Sequence, residues 1–348
     1  MNKTTVLILF GGMSNEHEVS LRSATSVIEN IDRERFEPVL MGITKNGEWK
    51  LFEGEVKHLV AGDWEKFSVP AILSPDRAAH GIIIFRNDAQ ETKRIDVAYP
   101  AVHGQNCEDG VLQGLLELSG IPYVGCGVAS SAVTFDKGYT HIICEQAGIP
   151  MAKWQLVTDD EAFDDICERI ENTLGFPCFV KPANSGSSVG CSPAKDRDSL
   201  KTALDIAFAE DSRVIVEELV TAHEVECAVM GNRELFAPTT GEIVTTDGFY
   251  DYESKYVNDS AKLMMPATVS DKSNEEVKEL AKKVYKVLGC KGLSRVDFFV
   301  EDSGRVLFNE INTLPGFTSI SMYPKMMMYS GMSYAVIITR LIQLALEK

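Results

Sequence analysis

Long apolar runs are missing from this chain. No stretch approaches the roughly 20 consecutive hydrophobic residues of a membrane-spanning helix, so no membrane partner is expected. Positive charge is scarce: 34 Lys and Arg stand against 51 Asp and Glu, a net charge of −17. A surface of that sign repels a phosphate backbone, which argues against nucleic acid as a partner. The eight cysteines form no Cys-x-x-Cys pair and no Cys/His cluster, which excludes a zinc site and a disulfide framework and leaves small core residues. There is no Gly-Lys-Ser or Gly-Lys-Thr, hence no Walker A loop, and no internal repeat or low-complexity segment. The N-terminus leads into a strand without a signal-peptide pattern, and a cytoplasmic location is expected.

What remains is a chain of 348 residues, 45% hydrophobic and 24% charged, long enough for two or three domains. In so acidic a protein an anionic ligand has to be received by particular lysines and arginines. Strand and helix alternate up to about residue 130: strands at Thr5–Phe10, Pro38–Ile43 and Ile95–Tyr99, helices at Val19–Glu29 and Gly110–Ser119. That pattern predicts a parallel open sheet with ligands at the carboxyl ends of its strands. Residues 44 to 94 carry no clear period. Beyond Asp136 the spacing predicts a helix to Ala147, strands at Cys178–Lys181, Arg213–Glu217 and Glu224–Val229, and helices at Asp198–Ala209, Asn274–Leu288 and Ser333–Glu347. A long polar loop is expected up to Asn258.

The most informative segment is a hairpin, Leu293–Val300 and Arg305–Asn312, joined by Glu301-Asp302-Ser303-Gly304. A turn centred on Ser303-Gly304 sets Asp297 opposite Glu310 and Arg295 opposite Asn312. The period of two then gathers two carboxylates, an amide oxygen and a guanidinium on one face. Hard oxygen donors of this kind suit Mg²⁺ completed by substrate phosphates; a solvated edge hairpin is the alternative. The loop that follows, Thr313–Ser319, is rich in glycine and hydroxyls and favours an anion-binding reading.

Lys181-Pro182-Ala183-Asn184-Ser185-Gly186-Ser187-Ser188-Val189-Gly190 places small hydroxyl-bearing residues behind a lysine, which suits phosphates or, equally, a surface loop. Val214–Val220 runs a strand into the acidic pair Glu217-Glu218 and then apolar residues, either a purine slot or a plain strand end. Gly125-Cys126-Gly127 lacks the third glycine of a dinucleotide fingerprint and is set aside.

Taken together, Gly11-Gly12-Met13-Ser14-Asn15-Glu16-His17-Glu18-Val19-Ser20, His103-Gly104-x-x-x-Glu108-Asp109-Gly110, Gly186-Ser187-Ser188-Val189-Gly190, Phe249-Tyr250-Asp251-Tyr252-x-x-Lys255-Tyr256 and Asn309-Glu310-Ile311-Asn312-Thr313-x-Pro315-Gly316 resemble the D-alanine–D-alanine ligases of the ATP-grasp superfamily. The resemblance runs in order from residue 5 to the C-terminus. It implies an α/β fold: an N-terminal Rossmann-like parallel-sheet domain (1–130), then a two-part ATP-grasp fold with a central (131–212) and a C-terminal (213–348) subdomain. It also implies ATP and D-alanine as substrates, two Mg²⁺ ions or Mn²⁺ in their place, and a homodimer.

Carried over by motif, Lys137, Lys181 and Lys255 would touch ATP phosphates, and Glu217, Leu219 and Glu224 would line the adenine and ribose site. Asp297, Glu310 and Asn312 would hold the metal ions. Glu16 would receive the ammonium of the first D-alanine and, through Ser187, meet Tyr256 on a closing loop. Arg295 and the Gly316 N–H would stabilise an oxyanion, Ser321 would bind the second carboxylate, and His103 is an active-site candidate. One departure is Cys107, where the family usually has glycine; a positive φ there would strain it. For the second substrate, Tyr256 fits D-alanine or D-serine better than D-lactate, and the apolar Met322 after Ser321 favours D-alanine over D-serine. A nucleotide-binding protein without catalysis is the reading from another class.

Overall fold

The structure, a computed structural model, describes residues 3–87, 89–244 and 262–347. Lys255, Tyr256 and the motif around them lie outside the described residues.

The N-terminal sheet has seven strands: β1 (Thr4–Gly11), β2 (Phe36–Ile43), β3 (Trp49–Phe52), β4 (Ser68–Leu73), β5 (Gly81–Arg86), β6 (Ala89–Arg94) and β7 (Val97–Pro100), in the order β6-β5-β4-β3-β2-β1-β7. Only β7-β1-β2 is parallel. These three are the strands that the sequence predicts as a parallel sheet, and residues 44 to 94, which carry no clear period, extend it with antiparallel strands from β3 to β6. Strands β3 and β6 escape pattern reading because β3 spans four residues and β6, Ala-Gln-Glu-Thr-Lys-Arg, is an almost wholly exposed polar edge. Helix α1 (His17–Asn30) starts two residues before the expected Val19 and buries Leu21, Ala24, Val27 and Ile28 against β1.

A second, antiparallel sheet comprises β8 (Trp154–Thr158), β9 (Cys178–Pro182), β10 (Ser192–Ala194) and β11 (Arg213–Glu218), in the order β10-β9-β11-β8. It does not break at the expected 212/213 boundary, because β11 lies between β9 and β8. Alternation decides what faces where. Cys178, Val180, Val214 and Val216 go into a core with two helices, Phe163–Thr173 and Arg197–Phe208, which leaves Lys181 and Glu217 on the opposite face. All eight cysteines are free thiols, and all but Cys191 are buried, as core residues should be.

The third sheet, β14-β13-β12-β15-β16, is built from β12 (His223–Gly231), β13 (Thr240–Val244), β14 (Lys262–Met264), β15 (Gly292–Val300) and β16 (Val306–Asn312). Strand β13 occupies part of the expected polar loop, a correction with a simple cause: Thr-Gly-Glu-Ile-Val has too few apolar residues to read as a strand. One face of this sheet buries Val225, Cys227, Val296, Phe298 and Phe308 beneath the helix Asp271–Val287. The other face carries Glu224, Glu226, Arg295 and Asp297 and is partly covered by the helices Met322–Tyr329 and Tyr334–Leu346. The same apolar cluster includes Val6, Ile8 and Phe10 of β1, so one core joins the first sheet to the C-terminal helices.

The turn from β1 into α1 depends on Gly11. Its φ is +85°, and a Cβ there would lie 2.1 Å from the Ile43 carbonyl oxygen, the acceptor for the Gly12 N–H. We expect Gly11→Ala to cost roughly 1–3 kcal/mol in backbone strain alone, read as a lower urea midpoint. An unchanged midpoint would mean that the turn tolerates a side chain.

Candidate active site

The hairpin β15–β16 has the predicted register: Asp297 faces Glu310 and Arg295 faces Asn312. The route to it differs from the sequence reading. The strands close at Val300 and Val306, a loop centred on Ser303, which by itself would shift the pairing by one residue. A bulge after Phe298↔Phe308 absorbs the difference and leaves Asn309 as the extra residue. Its amide oxygen accepts a hydrogen bond from Lys181 Nζ at 3.0 Å. The irregularity therefore both restores the register of the carboxylates and ties the third sheet to the second.

The carboxylates are held by cations. Arg295 makes a two-pronged pair with Asp297, Nε to Oδ1 at 2.8 Å and Nη2 to Oδ2 at 2.7 Å, and its Nε lies 3.2 Å from Glu226 Oε2. Burial disfavours the guanidinium charge, but Asp297 and Glu226 outweigh it and hold Arg295 firmly protonated. Lys137 Nζ lies 3.8 Å from Glu310 Oε2 and donates to the Ser185 carbonyl at 2.6 Å. Asn312 Oδ1 accepts the Leu314 N–H at 3.1 Å, which starts the following loop. Among the described residues no three His, Cys, Asp or Glu side chains form a metal cage of their own.

Lys181 sits 2.6 Å from Glu217 Oε2, and His141 Nε2 lies 2.8 Å from Glu217 Oε1. Burial would raise the Glu217 pKa, yet Lys181 and His141 bring it down to about 2. For Lys181 burial works against the charge, and Glu217 followed by Glu310 more than restores it. Both Glu217 oxygens thus serve Lys181 and His141. Leu219 and Glu224 are exposed, and Glu224 faces Phe299 across β12–β15, on the side of the sheet where Lys181 approaches the Phe299 ring at 5.9 Å. Sequence reasoning missed His141, Glu226 and Asn309. Only Asn309, next to Glu310, carried a signal, and it required foreseeing the bulge.

Glu16 stands at the start of α1 without capping it, and its Oε1 accepts the Ser187 hydroxyl at 2.9 Å across 171 residues of sequence. Ser187 and Ser188 both have positive φ, 52° and 61°, a conformation that turns successive N–H groups into a concave arc. Gly104 is needed nearby: a Cβ there would lie 2.8 Å from Ser14 Cβ and 3.2 Å from Glu16 Oε2. The strain expected at Cys107 is absent, because positive φ falls on Asn106 (65°), a residue type that tolerates it. Cys107 packs as a core thiol, which burial and then Glu108 push up to about 12. His103 is buried, with Nδ1 3.0 Å from the Leu314 carbonyl and Nε2 3.1 Å from Ser23 Oγ. Glu108 lies 3.7 Å from His103 Nδ1, and burial raises its pKa.

Gly316 and Ser321 are neighbours: a Cβ on Gly316 would lie 3.0 Å from Ser321 Oγ, which accepts the Thr318 N–H. Met322 is only 5% exposed, and its methyl group packs where a Gly241 side chain would otherwise be. Gly241 faces Glu226, so Met322 occupies the Arg295 side of the sheet as part of the core.

Two antiparallel sheets, one carrying lysine and the other carboxylates toward a shared site, define an ATP-grasp fold, and solved structures agree. The VanG D-Ala:D-Ser ligase of Enterococcus faecalis superposes with a TM-score of 0.90 at 39% identity, covering 99% of this chain and 100% of that one. Residues 5–126 match the family described as D-ala D-ala ligase N-terminus and residues 143–343 the D-ala D-ala ligase C-terminus. A D-alanine–D-alanine ligase of Caldicellulosiruptor bescii is 47% identical, with 100% of this chain and 96% of the relative covered. The vancomycin B-type resistance protein VanB of Enterococcus faecalis is 42% identical, with 100% of both covered. The chain belongs to the D-alanine–D-alanine ligase family of enzymes.

The lowered Glu217 pKa carries a pH dependence. A carboxylate whose folded pKa lies near 2, below its ordinary 4.5, adds stability above pH 4.5 and loses it as pH falls toward 2. Parental protein should therefore exceed Glu217→Gln in urea stability near neutrality, and the gap should narrow on acidification through that window. A gap that stays constant or widens contradicts the Lys181–Glu217–His141 arrangement.

Proposed function

We propose that the enzyme joins two D-alanines at the expense of ATP, giving ADP, phosphate and D-alanyl-D-alanine for peptidoglycan precursors. The observation that carries this is the shared face of β15 and β16, where Asp297 stands opposite Glu310 and Arg295 opposite Asn312, with Lys181 docked on Asn309 beside them. Phosphoryl transfer asks little covalent chemistry of a protein; it needs positioning and neutralisation of charge. Lys137 and Lys181 would neutralise the triphosphate, and Glu224 and Leu219 would border the ribose and adenine.

The donor set of two carboxylates and an amide oxygen fits Mg²⁺, which commonly takes one or two carboxylates and fills its shell with phosphate and water. Asp297, Glu310 and Asn312 would hold two such ions, whose charge would offset the negative charge of the triphosphate during transfer. On the protein side, Glu16 receives the ammonium of the first D-alanine and leaves its carboxylate toward the γ-phosphate. The resulting acyl phosphate is hydrolysable, so water must be kept out. In our proposal the loop that bears Lys255 and Tyr256 does this. The amine of the second D-alanine attacks the acyl carbon. Arg295 and the Gly316 N–H take up the charge on its oxygen, phosphate leaves, and Ser321 holds the carboxylate of the second substrate.

A second reading has its own support: the VanG D-Ala:D-Ser ligase is similar over nearly the whole chain. In our proposal Met322 favours D-alanine over D-serine, and its packing over Gly241 supports that reading because an apolar residue offers a hydroxyl no partner. Such a pocket discriminates only on the order of a hundredfold. The homodimer and the division into three parts belong to the same proposal, with the second boundary moved to follow β11. A cytoplasmic location belongs to the same proposal.

Supplied with equal D-alanine, D-serine and D-lactate, the enzyme should release ADP and yield chiefly D-alanyl-D-alanine. Mainly D-alanyl-D-serine would overturn the Met322 argument, the lactate ester would overturn the Tyr256 argument, and no ADP release would leave a nucleotide-binding protein. Glu310→Gln should remain folded and lose several kcal/mol of transition-state stabilisation, at least about a hundredfold in turnover. Near-parental turnover at ordinary Mg²⁺ would remove Glu310 from the metal site.

A further inference from the structure

The segment from Leu314 to Thr318 has no regular secondary structure, yet its backbone is tied down residue by residue. The Leu314 N–H goes to Asn312 Oδ1 and the Leu314 carbonyl to His103 Nδ1. Pro315 has no N–H. The Phe317 N–H goes to Ser23 Oγ at 3.2 Å, the Phe317 carbonyl accepts Tyr334 Oη, and the Thr318 N–H goes to Ser321 Oγ. Of the N–H groups from 314 to 318, that of Gly316 alone makes no hydrogen bond to a described residue. Its direction is therefore set by its neighbours.

Ser23 is central to this. Its side chain is fully buried on α1, and its oxygen meets both the Phe317 N–H and His103 Nε2. The Leu314 carbonyl can only accept, so His103 Nδ1 carries a hydrogen. With a neutral ring Nε2 accepts from the Ser23 hydroxyl, and with a charged ring it donates to it. Either way the serine oxygen keeps a lone pair for Phe317. Ser23 also lies seven residues after Glu16 on the same helix, about 10 Å along its axis. One rigid element thus sets the spacing between the carboxylate at the first substrate's ammonium and the loop that presents Gly316.

We propose that Ser23 is a positioning residue of the ligation: its hydroxyl fixes the Leu314–Phe317 backbone so that the Gly316 N–H points at the oxygen that becomes negative when the second amine attacks. The assignment rests on the reading of Gly316 given above. Losing the serine oxygen should let that N–H drift, and misplacement on the scale of 1 Å costs roughly ten- to a hundredfold in rate. Ground-state binding of ATP and of the first D-alanine, which do not depend on this N–H, should be kept.

The test is Ser23→Ala in the full chain. We expect kcat to fall ten- to a hundredfold, KM for ATP and for the first D-alanine to stay within about threefold, and inhibition by a phosphinate analogue of the tetrahedral adduct to weaken by the same factor as kcat. Unchanged kcat and unchanged phosphinate inhibition in a folded variant overturn the assignment. So does a uniform loss that tracks a lowered thermal midpoint, since a merely structural serine behaves that way. If Ser23→Ala does not fold, Tyr334→Phe, which frees the Phe317 carbonyl, decides by the same comparison. A parental enzyme that forms no dipeptide and ignores the phosphinate overturns the reading of Gly316, and this assignment with it.

Discussion

The ammonium of Lys181 is the point on which the site is assembled. In a chain of net charge −17 a lone lysine cannot be left to find an anion by chance, and burial would strip its charge if nothing opposed it. Glu217 at 2.6 Å and Asn309 at 3.0 Å prevent that. Each belongs to a different sheet, β11 and β16, so the same two contacts that keep the lysine charged also hold the sheets in register with one another. His141 extends the arrangement, since its two ring nitrogens reach Glu217 and the Lys137 carbonyl. The second lysine is thereby placed relative to the first.

Around that point, strand geometry does the sorting. A period of two sends Val180 and Val216 into one core and Lys181 and Glu217 out of it, and sends Phe298 and Val296 into another core and Arg295 and Asp297 out. The bulge at Asn309 is the necessary exception, because without it Glu310 would not face Asp297. Each cation of the site has a carboxylate beside it, Arg295 with Asp297 and Glu226, Lys137 with Glu310 and Lys181 with Glu217.

Much of this could be read from the chain. The hairpin and the shared face of its charged residues followed from the period of two, although the loop centres on Ser303 and the bulge at Asn309 is what restores the register, and the cysteines followed from the lack of any pairing pattern. The lysine-led loop at Lys181 and the Glu16–Ser187 contact followed from motif resemblance. What escaped reading has physical causes. Strand β3 is short and β6 polar, so their own sequences carry little signal, whereas β5, Gly-Ile-Ile-Ile-Phe-Arg, does hold the apolar run of a strand. His141 and Glu226 act through partners distant in sequence, which no local pattern encodes. Cys107 is unstrained because the positive φ of that turn falls one residue earlier, on Asn106, which no local pattern announces. Residues 212/213 mark a helix-to-strand transition, while sheet membership, decided by long-range pairing, continues through Glu218.

In the proposed function Lys181 is kept charged in order to bind the nucleotide. Removing the lysine alone would strand a buried carboxylate, so the decisive variant is Lys181→Met combined with Glu217→Gln, which leaves no unpaired charge. Direct titration of ATP should show binding weakened by about 1.5–3 kcal/mol, roughly ten- to a hundredfold, with D-alanine affinity close to parental. Parental ATP affinity in the folded double variant would contradict the account.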